Sequence, residues 1–209
     1  VPGSPLLAAH APKPFKRILL CEKDTSISAA CDARLAQSPA RERYQLFRGD
    51  CNVEITSLVD AIPDGALTIA FLDPTGLHLH FETVEKLSAC GAVDLLILFP
   101  DAIDILRNVD LYFDQPESNL DLVLGPGSEW RRLKAESTST DGTSMRRLYA
   151  DIYKDQLSKV AGYHHFREEV ITGPSGPLYR LVYATKHERG VDFWDKSVAR
   201  DSGGQKRMF

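Results

Sequence analysis

Long hydrophobic runs are missing from the sequence. An α-helix needs about 20 consecutive apolar residues to span a membrane, whereas the longest run here, residues 95–99, has the length of a β-strand. Residues 1–5 show neither the basic start nor the long apolar segment of a secretory signal peptide. The four cysteines form no CxxC pair, so the sequence predicts neither a structural zinc site nor a clear disulfide framework. We therefore expect reduced thiols, a cytoplasmic location and no association with a membrane.

The sequence also lacks the short motifs of several enzyme classes. The glycines within residues 125–127 are not followed by the Lys and Ser/Thr of a phosphate-binding loop, and no serine nucleophile elbow is present. No glycine fingerprint follows a predicted strand, which disfavours a nicotinamide-dependent oxidoreductase. His78 and His80 have no acid or cysteine partners at ligand spacing, so no metal site is predicted.

An excess of positive charge is absent as well, because the formal net charge is −4. No global basic field therefore attracts nucleic acid. Small basic pairs leave a local nucleic-acid track open as an alternative, provided that the fold brings them together. These pairs are Arg131-Arg132, Arg146-Arg147 and Lys206-Arg207.

The sequence does contain a regular alternation of strand-like and helix-like segments. Apolar, β-favouring runs predict strands over residues 17–22, 44–47, 68–72, 93–99, 166–172 and 178–185. Amphipathic patterns predict helices over residues 25–36, 52–62, 81–90, 103–113, 145–160 and 191–199, and a loop-rich region over residues 115–144. This alternation is typical of a doubly wound, mostly parallel α/β sheet, here in a single domain over residues 1–209. The last two strands predict an antiparallel hairpin at the edge of that sheet.

Three successive predicted strands end in an acidic residue: Glu22, Asp50 and Asp73. Ligands of open α/β sheets bind outside the carboxyl ends of the strands, which share one edge of the sheet. Pro74 supports this placement for Asp73, because a proline cannot continue a central strand. The three acids therefore predict a nucleoside-binding crevice. The alternative for each acid is a cap or first-turn position of the following helix, and Asp50 directly precedes a predicted helix.

Several stretches, taken in order, resemble one protein family. The strongest likeness is at residues 49–52 (Gly-Asp-Cys-Asn), 71–76 (Phe-Leu-Asp-Pro-Thr-Gly) and 93–100 (Val-Asp-Leu-Leu-Ile-Leu-Phe-Pro), with further likeness at residues 3–7, 21–22 and 204–209. Together they are similar to the three-Cys-motif partner family, which looks like a branch of the S-adenosylmethionine-dependent methyltransferases. The resemblance implies a Rossmann-like methyltransferase sheet that ends in the hairpin, S-adenosylmethionine as cofactor, and a three-Cys-motif protein as a candidate partner.

The resemblance also implies roles for the acids at the strand ends. Glu22 would hold the ribose of the cofactor, with Lys23 beside it in the same site. Asp50, Cys51 and Asn52 would lie against the adenine. Asp73 and Pro74 would stand where amino-methyltransferases carry an Asp-Pro-Pro-aromatic motif, and their oxygens would accept hydrogen bonds from the amine that is methylated. A target base in a duplex would have to be flipped out of the stack.

Two departures from the family pattern keep a second interpretation open. Thr75 and Gly76 stand where the motif has its second proline and its aromatic residue. The family's first strand, with its acidic and glycine-rich cofactor loop, has no counterpart in this sequence, and we expect the domain described here to lack that strand. A non-catalytic, methyltransferase-like binding subunit is therefore the alternative to an enzyme that methylates an amino group.

Overall fold

The chain forms a mixed α/β protein that divides into two compact units. We describe a computed structural model that covers residues 3–137 and 141–198. Unit 1 is Val1–Asp64 and unit 2 is Gly65–Phe209, and each is described by itself. Residues 204–209, the basic pair Lys206-Arg207 and the end of the predicted last helix lie outside the described residues. None of the helices in the described part is both long and apolar enough to cross a membrane.

Unit 1 is built on one βαβ motif. Strand β1 (Ile18–Glu22) and strand β2 (Tyr44–Arg48) are parallel neighbours, with Glu22 opposite Arg48. Helix α2 (Thr25–Leu35) connects them, and it begins where Asp24 Oδ1 accepts the Ser26 and Ile27 amides at 2.8 and 2.9 Å. Buried Ala9, Ile18, Leu35 and Ala40 form the core of the unit. Unit 1 also contains helices α1 (Ser4–Ala9) and α3 (Cys51–Asp60).

Unit 2 contains a four-stranded sheet with both parallel and antiparallel pairs. Its strands are β3 (Thr68–Leu72), β4 (Val93–Phe99), β5 (His165–Gly173) and β6 (Gly176–Thr185), in the order β3-β4-β6-β5. β3 and β4 run parallel, whereas β6 is antiparallel to both β4 and β5. The predicted hairpin is thereby confirmed. Its position at the sheet edge is confirmed for β5 alone, because β6 lies between β4 and β5.

Helices of unit 2 follow the strands and cover most of the remaining chain. They are α4 (Phe81–Ser88), α5 (Leu106–Asp114), α6 (Asn119–Leu124), α7 (Trp130–Glu136), α8 (Gly142–Lys159) and α9 (Glu188–Val198). A π-helical turn, Asp101–Ile105, joins β4 to α5. The predicted helix over residues 103–113 therefore begins in a wider turn than expected. The loop-rich prediction for residues 115–144 is wrong where α6 and α7 form.

Helix α6 exists because Asp121 organises the segment around it. Ser118 and Asp121 form a reciprocal capping box, in which Asp121 Oδ2 accepts the Ser118 amide at 2.7 Å. The indole of Trp130, at the start of α7, donates to Asp121 Oδ1 at 2.7 Å, and Arg131 Nη2 donates to Oδ2 at 2.6 Å. Burial alone would raise the pKa of Asp121, but the hydrogen bonds from Arg131, Ser118 and Trp130 lower it to about 2. One carboxylate therefore links α6 to α7.

We expect Asp121→Asn to lower the free energy of unfolding by about 1.5–3 kcal/mol at pH 7, because hydrogen bonds to a charged acceptor are lost. The folded pKa of Asp121 is lowered to about 2, against about 3.9 in an unfolded chain. The stability that it contributes is therefore complete above about pH 4 and is lost as the pH falls toward 2. Urea denaturation at several pH values measures both effects.

The matched control is Asp110→Asn, which removes an exposed carboxylate that pairs with Lys134 at 2.7 Å. We expect this change to cost no more than about 1 kcal/mol. A loss for Asp121→Asn no larger than that of the control, or one independent of pH between 2 and 4, would contradict the role given to Asp121.

Candidate functional site

The carboxyl ends of β1 and β2 meet at one edge of unit 1. The Gly49 amide, just past β2, donates to the backbone oxygen of Glu22 at 3.1 Å, and Lys23 Nζ lies 4.0 Å from Asp50 Oδ2. We name the residues of this edge, Glu22, Lys23, Asp50, Cys51 and Asn52, the acidic rim. The structure thus brings together every residue that the sequence analysis assigned to the cofactor.

Each acid of the rim also has a local structural task. Asp50 caps α3, since its Oδ1 accepts the amide and the side-chain Nδ2 of Asn52, both at 2.9 Å. Glu22 Oε1 accepts the Asp24 amide at 2.9 Å. Asp50 is therefore a helix cap, as the alternative interpretation of this acid predicted. The hydrogen bonds named here engage one oxygen of each carboxylate, and the second oxygen of Asp50 lies near the Lys23 ammonium.

A further acid, Glu54, lies at the rim and was missed by the sequence analysis. A Cβ atom at position 49 would lie 2.8 Å from Glu54 Oε1, so the Glu54 side chain folds over the Gly49 backbone. Glu54 could have been found from the sequence, because it lies in the first turn of a predicted helix that starts at a strand end.

The two thiols near the rim are not activated. Burial, and after it the charges of Cys51, Glu54, Asp50 and Glu22, raise the pKa of the Cys21 thiol to about 11. Burial also raises the pKa of the Cys51 thiol. Both thiols are therefore neutral at pH 7 and are not activated nucleophiles.

Asp73 and Pro74 stand at the carboxyl end of β3 in unit 2, as predicted. The Asp73 side chain is exposed, yet partial removal of water from its carboxyl raises the pKa. We name residues 73–80 the acceptor loop. The structure groups Glu22 with Asp50 in unit 1 and has Asp73 in unit 2.

Asp104 of the π-helical turn holds the acceptor loop in place. Its Oδ2 accepts the Leu77 amide at 3.2 Å and would lie 3.0 Å from a Cβ atom at position 76, so Gly76 allows the close approach. Its Oδ1 accepts Tyr112 Oη at 2.6 Å and Asn108 Nδ2 at 2.9 Å. Burial, and then the hydrogen bond to Asp104, raise the pKa of Tyr112 to about 12. The close approach of Asp104 therefore explains on steric grounds why position 76 is glycine, where the motif of the resembling family has an aromatic residue.

Asp101, at the start of the same turn, is a fully buried carboxylate in an ion-pair network. Arg180 Nε donates to Asp101 Oδ2 at 3.0 Å, and Arg146 Nε lies 3.4 Å from the same oxygen. Arg180 Nη1 also donates to Glu168 Oε2 at 2.8 Å, and Glu168 pairs with Lys154. Asp101 was not predicted as a site residue, although it is an acid that follows a strand and a proline.

A small apolar recess opens beside the acceptor loop. Its lining includes Pro74, Gly76 and Leu79 from the loop, Phe99 from the end of β4, and Tyr153 from α8. It is far smaller than the pockets of about 300–1,000 Å³ that enclose whole ligands. The recess therefore has room for about one water-sized group, such as a single carbonyl oxygen or the edge of a ring.

The basic pairs that the sequence analysis kept as a nucleic-acid track lie beside acids where the structure describes them. Arg131 binds Asp121, and Arg132 binds Glu129 and Glu136. Arg146 is buried near Asp101, and Arg147 lies 3.8 Å from Asp151. These neighbours compensate much of the positive charge of the pairs. A nucleic-acid partner stays a prediction.

Comparison with known proteins adds one distant likeness. No protein-family model matches the sequence, and no curated protein matches it. A solved structure described as the crystal structure of cofactor-bound Rv0187 from MTB is similar, with 11% sequence identity and a TM-score of 0.46. The match covers 85% of this chain and spans 64% of the length of that chain.

We expect Asp104→Ala to loosen the acceptor loop, because the Leu77 amide loses its acceptor. Native-state hydrogen exchange should show the Leu77 amide exchanging about tenfold faster or more, as a locally opened segment does. Asp114→Ala, at the exposed end of α5, is the control and should leave this amide unchanged. An unchanged Leu77 rate in Asp104→Ala would show that the loop is held by other contacts.

Proposed function

We propose that the chain is an S-adenosylmethionine-dependent methyltransferase that acts on an amino group, as the resemblance to three-Cys-motif partner proteins implies. The observation that carries the proposal is the acidic rim, where Glu22, Lys23 and Asp50 come together at the carboxyl ends of parallel strands. The doubly wound sheet belongs to the same proposal. It is supported by two βαβ motifs, β1-α2-β2 in unit 1 and β3-α4-β4 in unit 2.

The chemistry of the rim fits the adenosine part of this cofactor. The second oxygens of Glu22 and Asp50 can accept hydrogen bonds from ribose hydroxyls and from an adenine amino group. Glu22, Asp50 and Glu54 outnumber Lys23, so the rim favours a neutral or cationic nucleoside and disfavours a phosphate-bearing one. When bound, S-adenosylmethionine supplies an electrophilic methyl group on a sulfonium ion.

Asp73 and the Pro74 carbonyl are the proposed acceptors for the amine. A carboxylate and a carbonyl that accept both amine hydrogens orient the nitrogen lone pair, and such positioning lowers the barrier without covalent chemistry by the protein. Asp104 contributes indirectly, because it fixes the loop that carries both groups. Desolvation raises the pKa of Asp73, so its acceptor capacity is lost at a higher pH than for an ordinary aspartate as the solution is acidified.

A non-catalytic binding subunit is the second candidate function. It is favoured by the acceptor loop itself, in which residues 74–80 include no Phe, Tyr or Trp on which a flipped base would stack. A three-Cys-motif protein as its partner and a cytoplasmic location are parts of either proposal.

Calorimetric titration of the full chain with S-adenosylmethionine tests the proposal. We expect Glu22→Gln to weaken binding at least tenfold, because a charged acceptor worth about 1.5–3 kcal/mol is removed. Asp73→Ala should bind the cofactor as the unchanged chain does, yet fail to transfer a labelled methyl group to adenine or cytosine in single-stranded oligonucleotides.

Glu42→Gln is the matched control in unit 1, since Glu42 is an exposed acid that lies 3.8 Å from the neighbouring Arg41. Its affinity should be unchanged. No binding to the unchanged chain at millimolar cofactor would refute the enzyme and leave the non-catalytic subunit. Binding without transfer would refute the enzyme and leave the binding subunit.

A further inference from the structure

Tyr153 is the one lining residue of the recess with a side-chain hydroxyl. The residue is 2% exposed, and its hydroxyl makes no hydrogen bond with any residue that the structure describes. A group that entered the recess and accepted a hydrogen bond would give this hydroxyl a partner.

The ring of Tyr153 is fixed, so its hydroxyl has a defined position. It stacks on Phe99, with ring centroids 4.8 Å apart and planes at 17°. Phe81 meets it edge-on, with centroids 6.0 Å apart and planes at 88°. Packing on two sides restricts the rotation of the ring. The hydroxyl is therefore preorganised for a ligand.

The recess selects a neutral hydrogen-bond acceptor. Burial raises the pKa of Tyr153 well above its ordinary value, so the hydroxyl stays protonated and can donate. The rest of the lining named above is apolar, and an alkylammonium ion would lose much of its hydration there and offers no acceptor to the hydroxyl. A ring nitrogen or carbonyl oxygen can enter at a much lower cost.

We propose that Tyr153 is a specificity-determining residue, whose hydroxyl binds the hydrogen-bond acceptor that neighbours the amino group in a heteroaromatic methyl acceptor. Pro74, which directly follows Asp73, and Gly76 line the same recess, so the amino group and its neighbouring acceptor would be bound by adjoining parts of one loop. The amines of adenine and cytosine have such a neighbour in the ring, whereas an alkylamine has none. This inference rests on the proposed function, because that proposal places the amino group of the methyl acceptor at Asp73.

Tyr153→Phe tests the inference, because it removes the hydroxyl and keeps the stacked ring. We expect the affinity of the full chain for cytosine, followed by NMR titration, to fall about 3- to 10-fold, the value of one neutral hydrogen bond. n-Propylamine should bind much more weakly than cytosine and should not distinguish the variant from the unchanged chain. Circular dichroism confirms that the variants fold.

Tyr149→Phe is the matched control. Tyr149 lies one turn earlier on α8, is fully buried, and its hydroxyl also lacks a partner among the described residues, yet it is not part of the recess lining. Its removal should leave cytosine binding unchanged, which separates a role in the recess from a general effect on the core.

Equal cytosine affinity in Tyr153→Phe and the unchanged chain would overturn the inference, and so would an absence of cytosine binding or a preference for n-propylamine. The S-adenosylmethionine titration separates this failure from that of the proposed function. Cytosine binding that depends on Tyr153 supports the recess even where no cofactor binds, whereas cofactor binding with no effect of Tyr153 overturns the recess alone.

Discussion

The buried carboxylate of Asp101 is the constraint on which the order of unit 2 depends. A fully buried charge is tolerated only when it is paired and hydrogen-bonded, and removing one partner of such a pair typically costs about 3–5 kcal/mol. Arg180 supplies the close contact, at 3.0 Å from strand β6, and Arg146 adds a second positive charge from α8. Three segments that are distant in the sequence must therefore come together at the end of β4. Asp101 Oδ1 makes no hydrogen bond with the described residues, so this arrangement retains some electrostatic cost.

The candidate site of unit 2 follows from that constraint in a few steps. Asp101 opens a π-helical turn, a rare element that often marks functional sites. The turn presents Asp104, which binds the acceptor loop through the Leu77 amide. The loop in turn supplies one wall of the recess, and α8, anchored by Arg146, supplies Tyr153. The acidic rim of unit 1 is organised differently. Its acids are held by neighbours within two residues, Asp24 for Glu22 and Asn52 for Asp50, so short-range hydrogen bonds suffice there.

This difference explains what the sequence could predict. Strands β3 and β4 were predicted with their observed bounds, because each is an apolar run closed by a residue that stops a strand, Asp73-Pro74 or Pro100. The rim was predictable because β1 and β2 are parallel neighbours and its residues lie at or just past their carboxyl ends. Asp101 and Tyr153 were not found, since their importance depends on partners such as Arg180, which is 79 residues away from Asp101. Helices α6 and α7 were missed although Ser118 and Asp121 have the spacing of a capping box. The π-helical turn leaves no periodic signal that separates it from an α-helix.

The central claim is that the acidic rim binds the adenosine part of S-adenosylmethionine. Two-dimensional amide NMR of the full chain during titration with this compound tests that claim most directly. The account predicts saturable shifts, with one dissociation constant, for the backbone amides of Lys23, Cys51 and Asn52, which lie at the ends of β1 and β2. Saturable shifts that leave these three amides unaffected, or no shifts at millimolar concentration, would contradict it.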